Sequence, residues 1–327
     1  PTRWHFLKYS RPQLSALFNA CDLTIPQRAA LTDTAKWEGT TNGIVVTPSD
    51  DLVLGLDPRA RTQIYTVLAE SEENAFHVWP ATFRNGALDE WLRDSGLAPA
   101  TLALVKRLTY SRGSSLCFAD MPQAFSQIAS IPERRLLVKT LSRQSALLMK
   151  IRVTDHTDVA ALAAYWGKGG RAKDLLPLLN SLRKVPGGTT LDVAHLLPPL
   201  ARKRLNTFPF PPTEPNQVLP DCYWTAMNFF NEPPDNRYHD DAIWSKDLER
   251  DYSQAAEATF GDLIFFLRPD GTPLHAVVYL ADDVVFTKNG GSLSQPWILM
   301  KLEDVLAKYP TTTPLRAVVF HSNKHPD

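Results

Sequence analysis

The stretch Gly261-Asp262-Leu263-Ile264-Phe265-Phe266-Leu267-Arg268-Pro269-Asp270-Gly271-Thr272-Pro273-Leu274-His275-Ala276-Val277-Val278-Tyr279-Leu280 holds two apolar runs on either side of a turn. Leu263–Leu267 and Leu274–Leu280 have the length of strands, and Asp270-Gly271 between them is a hairpin signal. Two more strand-length segments follow, Val284–Lys288 and Trp297–Met300, then a helical run over Leu302–Lys308 and a last strand over Leu315–His321. Short turns between successive strands make an antiparallel meander. Just upstream, Cys222–Asn231 and Ala242–Ala256 read as helices, so residues 221–327 have an α+β layout.

Moving towards the N-terminus, the period changes. Pro12–Cys21, Pro26–Trp37, Asp57–Glu70, Leu88–Leu97, Pro99–Leu108, Pro132–Arg152, Thr157–Trp166 and Asp174–Val185 carry apolar residues at helical spacing. Thr190–Leu205 does so too, with Pro198 and Pro199 placed to break or kink it. Asn206–Pro220 contains Pro209, Pro211, Pro212, Pro215 and Pro220 with few charges, a composition that favours an extended tether. The expected fold class is therefore α+β, in three parts. Residues 1–205 form a mainly helical domain whose role the sequence does not specify. Residues 206–220 form a proline-rich linker, and 221–327 a smaller α+β domain.

Hydrophobic residues make up 44% of the 327 and charged residues 21%, so a large core is available. Lysine plus arginine equal aspartate plus glutamate at 35 each, which removes any general basic field for nucleic acid. The basic run Arg202-Lys203-Arg204 reads as a solvated helix end. Three cysteines, Cys21, Cys117 and Cys222, do not describe a disulfide framework. No apolar run has the length of a transmembrane helix. The chain starts at Pro1 and lacks Met there, so the expectation is a removed leader and a periplasmic or secreted location.

Cys222 follows Pro220-Asp221 at the start of an amphipathic run, which places it in a first helical turn. Unpaired N–H groups and the helix dipole favour negative charge there, so the thiol pKa is expected to fall. The same N–H groups could stabilise an oxyanion. His275 lies in a strand with apolar residues on both faces, so its ring must find a partner or line a cavity. A three-residue loop, Ala281–Asp283, would pair Leu280 with Val284. That register sets His275 opposite Asn289 and Val277 opposite Thr287. Asn289 is thus the first choice to orient the ring and Thr287 the second, while Lys288 could not accept an imidazole N–H. Asn289-Gly290-Gly291 is also a turn signal. Two other clusters carry less. His239-Asp240-Asp241 lacks a second set of metal ligands, and Gly167-Lys168-Gly169-Gly170-Arg171 lacks the ending of a nucleotide loop. Neither a metal nor a cofactor is implied.

Three of these elements occur in an order that resembles the NlpC-type papain-like cysteine peptidases. They are Asp221-Cys222 opening a helix, Gly261-Asp262-Leu263-Ile264-Phe265-Phe266, and His275 followed by Ala276-Val277-Val278-Tyr279-Leu280. The resemblance spans about Pro220 to Asn289. It implies a papain-like domain with the Cys-bearing helix packed on an antiparallel sheet. It also implies a Cys222–His275 dyad with a third polar residue on the next strand, and hydrolysis of amide bonds in peptide or peptidoglycan-like cell-wall substrates. Asp221 matches an acidic residue that in the family helps hold a substrate amine. There are departures. Tyr223-Trp224 stand where Ser-Gly is usual, and these aromatics would narrow the cleft or stack on a substrate. The usual third histidine is missing, and the family count after His275 falls closer to Thr287 than to Asn289. Those departures also fit a non-catalytic binding or scaffold protein on a degenerate papain-like fold. A transglutaminase-like acyl transferase is a third reading, disfavoured because the next strand offers no acidic residue.

Overall fold

A computed structural model describes residues 2–324. The chain forms two compact units, Pro1–Arg143 with Leu306–Thr312, and Gln144–Val305 with Thr313–Asp327. The secondary structure is mixed α and β, and all strand pairs are antiparallel. No helix among the described residues is long and apolar enough to cross a membrane.

The first unit contains helices close to those expected, Arg11–Ala20, Pro58–Leu68 and Pro99–Leu108 among them. Proline sits in the first turn of each, where its missing N–H costs no hydrogen bond. Short strands, which the helical expectation does not include, lie between the helices. Strands β1 (Trp4–Leu7), β2 (Trp37–Thr40) and β3 (Gly43–Val46) form one three-stranded sheet in the order β1-β3-β2. Strands β4 (Ala81–Arg84), β5 (Tyr110–Arg112) and β6 (Ser115–Phe118) form another, in the order β4-β6-β5. The first sheet buries Trp4, Phe6 and Trp37 against Leu14, Phe18 and Tyr65. A fully buried Arg61 pairs with Asp120 at 2.9 Å, and Tyr65 donates to the same carboxylate at 2.6 Å.

The second unit begins well before the expected domain boundary. Strand β7 (Lys150–Val153) pairs with β8 (Thr189–Asp192), so the expected helix over 132–152 stops at Leu141 and its end becomes a strand. Strand β8 likewise takes over the start of the expected Thr190–Leu205 helix, which survives as a 3-10 turn over Val193–Leu196 and the helix Pro199–Arg204. Val153, Trp166, Leu179 and Leu196 share one core with Phe229, Phe260, Phe265 and Phe286. Tyr165 donates to the Leu280 carbonyl at 2.6 Å, and Trp166 packs on Phe260 at 4.9 Å. Residues 206–220 therefore lie inside this unit. The Asn206 N–H donates to the Trp297 carbonyl (2.7 Å), and the Trp297 N–H to the Thr207 carbonyl (3.1 Å). The proline-rich run does not separate domains because its start is hydrogen-bonded to the sheet.

That sheet has six strands: β9 (Tyr252–Ala255), β10 (Leu263–Leu267), β11 (Pro273–Ala281), β12 (Val284–Lys288), β13 (Trp297–Lys301) and β14 (Arg316–Ser322). Their order is β13-β12-β11-β10-β14-β9. The turn from β11 to β12 is tighter than expected. Asp282 and Asp283 both have positive φ (50° and 60°), and Ala281 pairs with Val284. Two left-handed residues in a two-residue loop are the type I′ geometry that suits the strand twist. A bulge at Leu280 absorbs the shortened loop, so Tyr279 still pairs with Val285 and Val278 with Phe286. The ladder thus returns to the register expected from the sequence.

Candidate active site

Cys222 is the first residue of the helix Cys222–Met227. Asp221 caps it, its Oδ1 accepting the Trp224 N–H at 2.8 Å. The helix lies on the sheet face that carries Ala276, Val278, Phe286 and Trp297, in one core with Trp224, Ala226 and Met227. Trp297 donates its indole N–H to Thr225 Oγ1 (2.9 Å), and Thr225 donates to the Asp221 carbonyl (2.6 Å). These bonds fix the first turn of the helix against β13.

The recorded β11–β12 pairing ends at Val278 and Phe286. Carried further, the register sets Val277 opposite Thr287, Ala276 opposite Lys288 and His275 opposite Asn289. The backbone N–H groups of Ala276, Cys222 and Tyr223 favour the anionic form of the Cys222 sulfur. The Cys222 helix thus covers the face of Ala276, whereas His275, which alternates with Ala276, shares the opposite face with Val277, Phe266 and Thr287.

His275 is fully buried and stacks on Phe266 at 6.2 Å with the rings nearly parallel (10°). Its Nε2 lies 3.0 Å from Thr287 Oγ1, and that hydroxyl donates to Asn289 Oδ1 at 3.4 Å. This contact engages Nε2, and the imidazole tautomer decides whether Nε2 or the hydroxyl is the donor. The first choice of orienting residue is thus corrected. Thr287 touches the ring, and Asn289 stands behind Thr287 with its own amide on Met300 Sδ (3.2 Å). The imidazole reaches diagonally past its cross-strand partner.

The expected electrostatics are corrected too. Burial, then the Asp221 carboxylate, push the Cys222 thiol up to about 12, against the pull of its three N–H neighbours. Burial also brings His275 down to about 3. At neutral pH the resting pair is a thiol and an uncharged imidazole. Being itself buried, Asp221 is raised above the ordinary carboxylate range.

Of the aromatic pair after Cys222, Trp224 lies in the core and Tyr223 is half-buried. Trp224 is buried, its indole N–H on Asn236 Oδ1 (3.3 Å) and its ring stacked on His239 (5.8 Å). Tyr223 stacks on Trp244 at 4.5 Å and 14°. The substrate contact expected of Trp224 is therefore replaced by a core role. Asp240 caps the helix Asp241–Asp251, and His239 serves as the Trp224 stacking partner. Among the described residues no group of three or more His, Cys, Asp or Glu side chains is placed to hold a metal. Cys21, Cys117 and Cys222 are all free thiols and all buried.

The Gly261-Asp262 pair has a local explanation. Gly261 has φ of 85° and donates its N–H to the Tyr279 carbonyl (2.9 Å). Asp262 accepts the Thr259 N–H (2.9 Å) and pairs with His321 Nδ1 (2.8 Å). One residue escaped the sequence reading: Lys288, which is wholly buried and faces Asp221 and Cys222. The only signal for it was its place in the strand, on the face next to the nucleophile.

The buried histidines set a pH dependence of stability. His275 in the second unit and His77 in the first are both held near 3, against 6.5 for the free side chain. The unfolded chain takes up these protons first as pH falls. Their stabilising effect is fully present above about 6.5 and is lost as pH drops towards 3. The slope cannot exceed about 1.4 kcal/mol per pH unit per histidine. Urea midpoints measured between neutral and mildly acid pH should fall, and His275→Gln should flatten the part due to the second unit. An equal slope in that variant would contradict the assignment.

Searches against protein families, curated proteins and solved structures give no match to this chain.

Proposed function

We propose that the second unit is a papain-like cysteine hydrolase of the NlpC type that cleaves amide bonds. Cys222 is the nucleophile, His275 the general base, and Thr287, backed by Asn289, the group that orients the ring. The observation that carries this reading is the packing of the Cys222-bearing helix start on β11 and β12, the strands that hold His275 and its Thr287 partner. In the proposed reaction His275 removes the thiol proton as Cys222 Sγ bonds to the substrate carbonyl carbon. Negative charge moves to the carbonyl oxygen, where N–H groups at the helix start can receive it. The C–N bond then breaks and the imidazolium returns the proton to the leaving amine. Water hydrolyses the thioester, with His275 again as base, and the thiol is regenerated. Since the resting pair is neutral, ionisation and attack belong to one step.

The substrate class follows from the resemblance around Cys222 and His275: peptides, with cell-wall peptides the first to try. Release of amino groups from peptidoglycan-derived peptides should be seen with the wild-type protein and be absent with Cys222→Ala. Equal release by both would remove Cys222 from the reaction.

One observation favours a second reading, a binding protein on a degenerate papain-like fold. Cys222 is only 5% exposed and His275 is not exposed at all. On that reading no peptide is cleaved, and Cys222 reacts no faster than Cys21 or Cys117.

A further inference from the structure

Lys288 ends β12 with a side chain that is 0% exposed, a rare fate for lysine. The β11–β12 register puts it across from Ala276, on the sheet face that the Cys222 helix covers. Its ammonium donates to the carbonyls of Gly290 (2.5 Å) and Ser292 (3.2 Å), and lies 5.6 Å from the centre of the Trp297 ring. Trp297 is the residue bonded to the first turn of the Cys222 helix through Thr225. Two neutral carbonyls and an indole face do not balance a buried full charge. The loop that Lys288 holds lies against Asp221, whose Cβ is 3.9 Å from where a Cβ on Gly291 would stand, and Asp221, then Cys222, are the negative groups that favour the Lys288 charge.

The surrounding charges leave this role to Lys288. Asp241 and His239 face Asp221, and burial drives His239 towards its neutral form. Arg268 faces Tyr223, and Arg204 covers the Trp297 ring at 4.9 Å. Burial and the Asp221 carboxylate both oppose ionisation of Cys222, and His275 is uncharged at rest. A sulfur anion in this setting needs a nearby cation.

We propose that Lys288 is a positioning residue of the Cys222 site, its ammonium offsetting the Asp221 carboxylate and supporting the negative sulfur while it anchors the 290–292 loop. The inference rests on Cys222 acting as a nucleophile. Burial brings Lys288 down to about 8, so its charge is present at neutral pH and lost in mild alkali.

The test is the rate of Cys222 alkylation by iodoacetamide between about pH 6 and about pH 10, read by mass spectrometry. Lys288→Met should move the Cys222 ionisation up by about one pH unit, which slows alkylation at neutral pH about tenfold. Lys288→Arg keeps the charge and should retain the wild-type profile, which a purely structural loop anchor does not require. An unchanged profile in folded Lys288→Met overturns the proposal. Should that variant not fold, the coupling can be read from the other side. In Asp221→Asn, which keeps a helix-capping side chain, the Lys288 ammonium, followed by NMR, should titrate lower than in wild type, because the carboxylate it offsets is gone. An unshifted titration there also overturns it. His275→Ala separates the two levels of the argument. If it alkylates at the wild-type rate, the Cys222–His275 reading itself fails, and the role of Lys288 with it.

Discussion

Replacing His275 with alanine is expected to lower peptide hydrolysis about a hundred- to ten-thousand-fold, the range that positioned acid–base groups supply. The imidazole would act twice, removing the thiol proton and protonating the leaving amine. The loss should fall on kcat, because the fully buried ring offers little surface for ground-state binding. Thr287→Val provides the graded companion. It removes the Nε2 partner at 3.0 Å but leaves the ring stacked on Phe266. One lost hydrogen bond at a buried group is worth about 1–3 kcal/mol, so an intermediate fall of about tenfold or more is expected. Steady-state kinetics of the two variants check the order. If Thr287→Val were as inactive as His275→Ala, the hydroxyl would be doing more than orienting the ring.

Gly261→Ala is expected to destabilise the second unit by about 2–4 kcal/mol, combining left-handed backbone strain with overpacking. The φ of 85° already disfavours any side chain. An added Cβ would also overlap Phe230 Cζ and stand 2.6 Å from Cε2. The ring has little room to retreat. Its other edge lies 3.0 Å from where a Cβ would stand on Gly169, a second positive-φ glycine, and it packs on Phe229 and Phe260. Thermal unfolding should show a drop of several degrees, larger than for Gly271→Ala. Gly271 shares the positive φ but has open space around it. Equal drops would mean that backbone strain alone accounts for the effect.

These two residues also show how far the sequence could be read. Continuous apolar runs and a turn signal revealed β10 to β13, and the register near His275 came out correctly although the turn did not. The bulge at Leu280 made up for the missing loop residue. Cys222 was legible as a helix start because Pro220-Asp221 is a strong cap. In the first unit the strands are only three or four residues long, and Tyr110–Arg112 and Ala81–Arg84 carry too little pattern to stand out. The domain boundary was misplaced for a different reason. Prolines signal an extended chain, but its hydrogen bonds to Trp297 are tertiary. The thiol pKa follows the same logic. A helix start predicts a lowered value, whereas the depth of burial, which sequence does not encode locally, raises it. Lys288 offers no acceptor for an imidazole N–H, and its place beside Asp221 appears only once the strands are paired.

The most direct test of the central claim is covalent capture of Cys222 by a peptide bearing an electrophilic carbonyl, located by mass spectrometry in wild type and His275→Ala. The account predicts an adduct on Cys222 in the wild-type protein, none on buried Cys21 or Cys117, and loss of the adduct when His275 is replaced. No adduct on wild-type Cys222, or an equal one in folded His275→Ala, would contradict it.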